Sequence, residues 1–267
     1  MRLDQAREEG EVTLSRVIVT SAAEDNSRNG RPKASRAAGP RSGNADPSRG
    51  AWLRRARSKL RKADPVMARL IDERPAFDPR AWMDELPQMD LYGALLFQVT
   101  GQQLSVPATR RTLGRIEELF GGHLPAPAEL LALDPGKLRE AGLSWRKIGT
   151  LRDLAERLSD GRLDPDVLSD LPDDDLMAQL TVIPGIGPWT VQGALIIALG
   201  REDVVLPGDL ALRKAIRTAY QLDHVPTQDE VLAIAELWRP YRSLATSYLF
   251  SAAFESAGPG QVTPAES

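Results

Sequence analysis

Apolar residues recur every three or four positions along most of this chain, which is the spacing of one face of an α-helix. The pattern begins at about Ala51 and continues to Phe254. The one clear β-branched run, residues 203–207, is too short and too closely bounded by proline to support a sheet. We therefore predict an all-α fold built from many short helices.

Capping residues mark where several of these helices should begin. Asp90, Ser144 and Thr227 each precede a periodic apolar run, and their side chains can accept hydrogen bonds from the free amides of a helix start. The residues after Pro188 are apolar nearly all round, which is typical of a buried central helix. The predicted helices cover residues 52–63, 91–99, 105–120, 144–158, 173–182, 188–199, 210–220, 227–237 and 240–254. We expect them to form two lobes with a cleft between them.

The two ends of the chain differ from this helical region. Residues 1–50 are rich in Ser, Gly, Pro, Asn and Arg, so we predict a disordered tail there, a helical domain over 51–256 and a flexible tail over 257–267. Net charge is −3, yet residues 26–62 contain twelve Lys or Arg and one acidic residue. Residues 1–50 are therefore a solvated tail, the result of a misassigned start site, or a basic arm that tethers the protein to DNA.

Composition excludes several kinds of chemistry. The 267 residues include no cysteine and two histidines, so disulfides, thiolate nucleophiles, cysteine-ligated clusters and histidine-rich metal sites are not expected. No apolar run reaches the roughly 18 residues that span a bilayer, and the N-terminus has no signal-peptide pattern. We expect a cytoplasmic protein without membrane contact.

The most informative segment is residues 180–190, in which a Pro-Gly-Ile-Gly-Pro turn joins two helical runs. Gly185 and Gly187 permit backbone angles that other residues resist, and they allow another molecule to approach closely. Pro188 suits the first position of a helix, whose free amides and dipole bind anions such as phosphate. An ordinary corner between two helices would also use glycine, so the turn alone leaves both interpretations open.

A candidate catalytic carboxylate lies in a second tight turn. Asp209 comes nineteen residues after Thr190, in a Pro-Gly-Asp turn that begins the next helical run. It could act only as a helix cap, or it could also act in catalysis. A phosphate-binding turn followed by one carboxylate indicates chemistry on a nucleic acid.

Together these segments resemble the helix-hairpin-helix DNA glycosylase superfamily. Residues 180–190 are similar to its hairpin, and residues 205–213 to its Gly/Pro-rich loop with an aspartate. Residues 98–105 (QVTGQQLS), the Gly142-Leu143-Ser144 element with Lys147, and residues 238–243 (WRPYRS) resemble motifs of the DNA-3-methyladenine glycosylase II branch. The resemblance covers about residues 51–254.

The resemblance implies a monofunctional enzyme. Family members that cut the DNA strand carry a lysine nucleophile just after the hairpin, where this chain has Trp189. Other members carry a four-cysteine cluster, which this chain cannot form. The expected reaction is hydrolysis of the N-glycosidic bond of alkylated purines, such as 3-methyladenine and 7-methylguanine, in duplex DNA. The alternatives are a non-catalytic DNA-binding module and an oxidised-purine glycosylase.

The resemblance also implies roles for individual residues. Asp209 would be the catalytic carboxylate, and the aromatic base pocket would contain Trp189, Trp238 and Tyr241, with Gly193 where some relatives place a second aromatic residue. Gln103 and Leu104 fall where the family inserts a side chain into the gap left by the flipped base. The expected DNA contacts are Gln103, Leu104, Ser105, Gly185, Gly187, Thr190 and Arg213.

No cofactor is expected for the reaction itself. In the family the hairpin binds a monovalent or divalent cation through backbone carbonyls, which here would belong to Thr181, Ile183 and Ile186. The expected partner is damaged double-stranded DNA, and we expect a monomer. If the source is bacterial, the protein would associate with the nucleoid.

Overall fold

The computed structural model describes residues 47–79, 89–104 and 106–256, and these residues are helical without any β-strand. The helices are α1 (Pro47–Ala63), α2 (Pro65–Glu73), α3 (Leu91–Gly101), α4 (Val106–Leu119), α5 (Pro127–Ala132), α6 (Pro135–Glu140), α7 (Trp145–Ser159), α8 (Pro165–Asp170), α9 (Asp173–Leu180), α10 (Pro188–Ile197), α11 (Leu210–Tyr220), α12 (Gln228–Ala235) and α13 (Arg242–Ser256), with a 3-10 turn at Glu236–Trp238. The predicted all-α class is confirmed.

Proline and capping residues set many of these boundaries. Proline occupies the first position of α2, α5, α6, α8 and α10, where its missing amide hydrogen would have no partner within the helix. The predicted caps Asp90, Ser144 and Thr227 all accept hydrogen bonds from the first turn of their helices. The last described helix begins at Arg242, two residues after the predicted Pro240.

The main packing contacts divide the helices into two lobes. Helices α3 to α10 form one lobe, in which α3 is buried at every position and packs against α4, α7 and α10. Helices α1 and α2 join α11, α12 and α13 in the other lobe, so the chain leaves this lobe and returns to it. The junction lies where α10 leads into the loop before α11.

The first helix of the described residues begins earlier than predicted. It begins at Pro47, so residues 47–50 of the predicted tail are helical, whereas residues 1–46 and 257–267 lie outside the described residues. Within the described ranges, no helix combines the length and the apolar character needed to cross a bilayer.

Candidate active site

Asp209 lies at the junction of the two lobes and is fully buried. It caps α11, with its Oδ1 accepting a hydrogen bond of 2.8 Å from the Leu212 amide. Its Oδ2 accepts a hydrogen bond of 3.0 Å from the indole nitrogen of Trp189. The carboxylate can therefore serve both as a helix cap and in catalysis. Oδ1 caps the helix, whereas Oδ2 faces the hairpin side of the junction.

Trp189 connects this carboxylate to the hairpin. It is the second residue of α10, it is half-buried, and it lines a groove of about 420 Å³ together with Gly185, Gly187 and Gln103. The structure thus brings together the two sequence elements, hairpin and aspartate, that are separated by nineteen residues in the chain.

The two hairpin glycines have different physical roles. Gly185 has a φ of +94°, and a Cβ at this position would lie 2.1 Å from the hydroxyl oxygen of Thr150. Gly187 has an ordinary φ of −102°, and no atom lies within 4 Å of an added Cβ. The prediction of unusual backbone angles is therefore right for Gly185 and wrong for Gly187, whose missing side chain leaves open space beside the start of α10.

Gln102, which the sequence analysis missed, holds the hairpin against α3. Its side-chain nitrogen donates hydrogen bonds to the Gly185 carbonyl at 2.9 Å and to the Thr190 hydroxyl at 3.0 Å. Thr190 is buried and its amide donates to the Gly187 carbonyl. Thr190 therefore orients Gln102 in this structure, and its direct contact with DNA stays a prediction. The Gly-Gln-Gln motif was the available signal, since its first glutamine follows the buried helix directly.

Lys147 lies at the other side of the same groove. Its ammonium donates hydrogen bonds of 2.8 Å to the Thr100 carbonyl and 2.6 Å to the Gln102 carbonyl, which satisfies the end of α3. Burial lowers the pKa of Lys147 to about 8. One turn further along α7, the Thr150 hydroxyl donates to the Pro184 carbonyl at 2.8 Å. Helix α7 therefore supports both the hairpin and the turn after α3.

That turn, residues 102–104, projects from the end of α3. Gln103 is exposed and has a φ of +59°, a conformation that non-glycine residues rarely adopt and that often occurs at functional sites. Leu104 is half-buried, and its amide donates to the Gly101 carbonyl. This geometry suits the predicted insertion of a side chain into DNA. Ser105 lies outside the described residues.

Trp238 is a correction to the predicted base pocket. It is fully buried, and its indole nitrogen donates to Asp64 Oδ2 at 2.9 Å, so it belongs to the core of the second lobe. The motif resemblance suggested a pocket residue, but a large aromatic side chain such as Trp238 is stabilised by apolar packing in the core. Tyr241 is half-buried and packs edge-on against Trp52 at 6.0 Å between ring centroids, so its place in a base pocket stays a prediction.

Two further predictions also remain untested. Arg213 donates from Nε to the Pro226 carbonyl at 2.7 Å and so anchors the loop before α12. The Thr181, Ile183 and Ile186 carbonyls belong to the hairpin, whose residues 181 and 183–187 line the groove. The Ile183 carbonyl already accepts from the Ile186 amide, which leaves its second lone pair for a cation.

The sequence also matches a known protein family. The family described as HhH-GPD superfamily base excision DNA repair protein matches residues 98–240, a range that contains the hairpin, the groove and Asp209. The chain belongs to this superfamily. The HhH-GPD match confirms the family predicted from the hairpin and the aspartate.

Individual relatives agree with this HhH-GPD assignment. The chain is 32% identical over 200 residues to DNA-3-methyladenine glycosylase 1 of Schizosaccharomyces pombe, covering 74% of this chain and 86% of the relative. It is also 32% identical over 180 residues to a Bacillus subtilis protein provisionally named as a DNA-3-methyladenine glycosylase, covering 65% of this chain and 63% of that protein. The structure of the S. pombe 3-methyladenine DNA glycosylase with abasic DNA matches with a TM-score of 0.68 and 30% identity, over 75% of this chain and 97% of that one.

Proposed function

We propose that this protein is a monofunctional DNA glycosylase that hydrolyses the N-glycosidic bond of alkylated purines in duplex DNA and so initiates base excision repair. The observation that carries the proposal is the hydrogen bond of 3.0 Å between Trp189 and Asp209, which joins the hairpin groove to a buried carboxylate at the lobe junction. A phosphate-binding module alone would not need a carboxylate there, because a negative charge close to DNA opposes binding.

The hairpin would hold the damaged strand through phosphate contacts that ignore base sequence. Its open space beside Gly187 lets a phosphate oxygen approach the amides at the start of α10. Gln102 and Thr150 keep the hairpin in this shape through the carbonyls of Gly185 and Pro184. The exposed Gln103 and the neighbouring Leu104 would fill the gap after the damaged nucleotide rotates out of the stack.

Bond cleavage would rely on charge. Alkylation at N3 or N7 makes the purine cationic and a good leaving group, and the sugar gains positive charge as the bond breaks. Ionised Asp209 would stabilise that cation and orient the attacking water. The exposed part of Trp189 lines the groove, where its ring would stack on the electron-poor base.

The same residues support hydrolysis without strand cleavage. Trp189 replaces the lysine nucleophile that strand-cutting relatives use at this position. The groove does contain one lysine, Lys147, but two backbone carbonyls accept hydrogen bonds from its ammonium, which supports a positioning role. We propose that the protein acts as a monomer in the cytoplasm, on the nucleoid if the source is bacterial, with no required cofactor and with a cation at the hairpin carbonyls of Thr181, Ile183 and Ile186.

Incubation with DNA containing 7-methylguanine or 3-methyladenine, with and without alkali, tests this function. Release of free base with nicking only after alkali is the expected result. Nicking without alkali would indicate lyase activity and contradict the monofunctional mechanism. Binding without base release from either substrate would leave only the non-catalytic module. A parallel duplex containing 8-oxoguanine tests the oxidised-purine alternative, and we expect no release from it.

A further inference from the structure

A second basic depression adjoins the turn at residues 102–104 and shares no lining residue with the hairpin groove. Gln102 and Gln103 line the groove, whereas Leu104 lines this depression of about 520 Å³. Its other lining residues are Ala108, Arg111, Thr112, Arg115 and Gly142. The predicted DNA wedge therefore separates two distinct surfaces.

Arg111 and Arg115 provide the charge of this depression. They lie four residues apart on α4, so they share one helix face, and both side chains are exposed. Across the part of the chain that the structure describes, no carboxylate lies within 4.0 Å of either guanidinium. Two like charges at this spacing destabilise a helix slightly, so folding does not explain the pair.

Gly142 shapes the floor of the depression. Its φ is +110°, and an added Cβ would lie 3.2 Å from Nη2 of Arg115 and 3.6 Å from the Thr112 hydroxyl. The Arg115 guanidinium therefore lies close over a bare stretch of backbone that a side chain would crowd. The guanidinium lines the depression, and its planar fork of donors matches the geometry of phosphate oxygens.

We propose that Arg111 and Arg115 form a second phosphate site, which binds the backbone of the DNA strand opposite the damaged base. The inference rests on the proposed function, in which the hairpin holds the damaged strand and the turn at 102–104 enters the duplex. A wedge inserted between bases has the damaged strand on one side and its complement on the other. Because the hairpin groove is assigned to the damaged strand, we assign the separate depression beside Leu104 to the complementary strand.

Salt-dependent binding of the full chain tests the site. The probes are a duplex carrying a tetrahydrofuran abasic analogue and the same modified strand without its complement. The double variant Arg111→Gln/Arg115→Gln should bind the duplex about tenfold more weakly at 100 mM KCl, and the slope of log K against log salt should fall by about 1 to 2, the value for one or two lost phosphate contacts. Its affinity for the single strand should not change.

Two control proteins make the result specific. Arg157→Gln/Arg162→Gln removes the same charge at and just beyond the C-terminal end of α7, where Arg157 lies about 15 Å along the helix from Lys147, and should retain the wild-type slope. Arg111→Lys/Arg115→Lys keeps the charge and should recover most of the slope. Equal weakening with duplex and single strand, or no weakening with duplex, would overturn the proposal. Because binding to the abasic analogue needs no catalysis, a failure of base release in the wild type would contradict the proposed function separately.

Discussion

Two buried aspartate–tryptophan pairs with nearly the same geometry occur among the residues that the structure describes. In each pair the aspartate caps a helix through Oδ1 and accepts an indole hydrogen bond at Oδ2, at 3.0 Å for Asp209 with Trp189 and 2.9 Å for Asp64 with Trp238. Both carboxylates are buried. The pairs differ in what surrounds the tryptophan, since Trp238 is fully buried and Trp189 is half-buried beside the hairpin.

The pair in the core also has a third member. The Tyr220 hydroxyl donates to Asp64 Oδ2 and accepts from the Trp238 indole at 3.2 Å, so Asp64 joins α2, α11 and the 3-10 turn. Burial and this hydrogen bond to Asp64 strongly raise the pKa of Tyr220, so it remains a neutral donor. The comparison teaches that a buried aspartate with an indole partner is not itself an active site. Asp209 differs from Asp64 because its indole partner, Trp189, also lines the hairpin groove.

The largest expected effect comes from replacing the two aspartates by asparagine. Each substitution places an amide group where the indole needs an acceptor and should lower the free energy of unfolding by about 2–4 kcal/mol. Asp209→Asn should also lower the single-turnover rate of base release about 10³-fold, because the sugar cation loses its charge partner. Asp64→Asn should leave that rate unchanged in the folded fraction, measured below its Tm. Equal rates for both variants would remove Asp209 from the mechanism.

The hairpin glycines provide the next contrast. Gly185→Ala should destabilise the protein by about 2–4 kcal/mol, since the new methyl group meets Thr150 and the backbone angle is unfavourable. Gly187→Ala should change the unfolding free energy by less than about 1 kcal/mol, yet weaken binding to duplex DNA about tenfold by blocking the phosphate. Thermal unfolding and binding titrations measure the two effects. Wild-type affinity in Gly187→Ala would show that phosphate does not approach there.

Replacing the two tryptophans should also distinguish the two pairs, with smaller effects on stability and rate. Trp238→Phe should lower stability by about 2–3 kcal/mol, because it leaves a small cavity and two buried groups without their donor. Trp189→Phe keeps a stacking ring but loses the hydrogen bond to Asp209, so base release should slow about tenfold with a smaller loss of stability. A slower rate in folded Trp238→Phe would contradict its assignment to the core.

The smallest expected effect is a pH dependence of DNA binding. Because burial lowers the pKa of Lys147 to about 8, its ammonium loses its proton as pH rises from about 7 to 9. The groove then carries one positive charge fewer, and affinity for DNA should fall about threefold, as for one screened charge near phosphate. Lys147→Arg stays charged throughout this range. A titration series with this variant should give a flat profile, and a persistent decrease would exclude Lys147 as its cause.

Much of the fold could be predicted from local signals. Asp90, Ser144 and Thr227 mark helix starts through interactions within three residues, so their effect depends little on the rest of the chain. Trp238 shows where such reasoning stops. Its motif suggested a pocket, but its partner Asp64 lies 174 residues away, and only the packing of the complete lobe brings the two together.

The candidate site likewise contains some residues that the sequence predicts and others that it does not. The glycine turn, Trp189 and Asp209 are recognisable because residue type and spacing carry their chemistry. Gln102 and Lys147 support the site through hydrogen bonds to backbone carbonyls. Every residue carries such a carbonyl, whatever its side chain. No sequence pattern specifies such an acceptor, so these supporting residues needed the three-dimensional structure.

The last described helix, α13, packs in the same lobe as the first described helices, and this has a consequence for synthesis. Arg57 donates to the Tyr248 hydroxyl at 2.7 Å across 191 residues, and the Trp238 indole donates to Asp64 across 174. On the ribosome, the lobe with the hairpin can fold before α13 has been made. Asp209 gains its rigid frame only when α13 packs against α2 and α11. A nascent chain could therefore bind DNA through the hairpin before it can remove a base. Base excision would begin only after α13 has packed against α2 and α11.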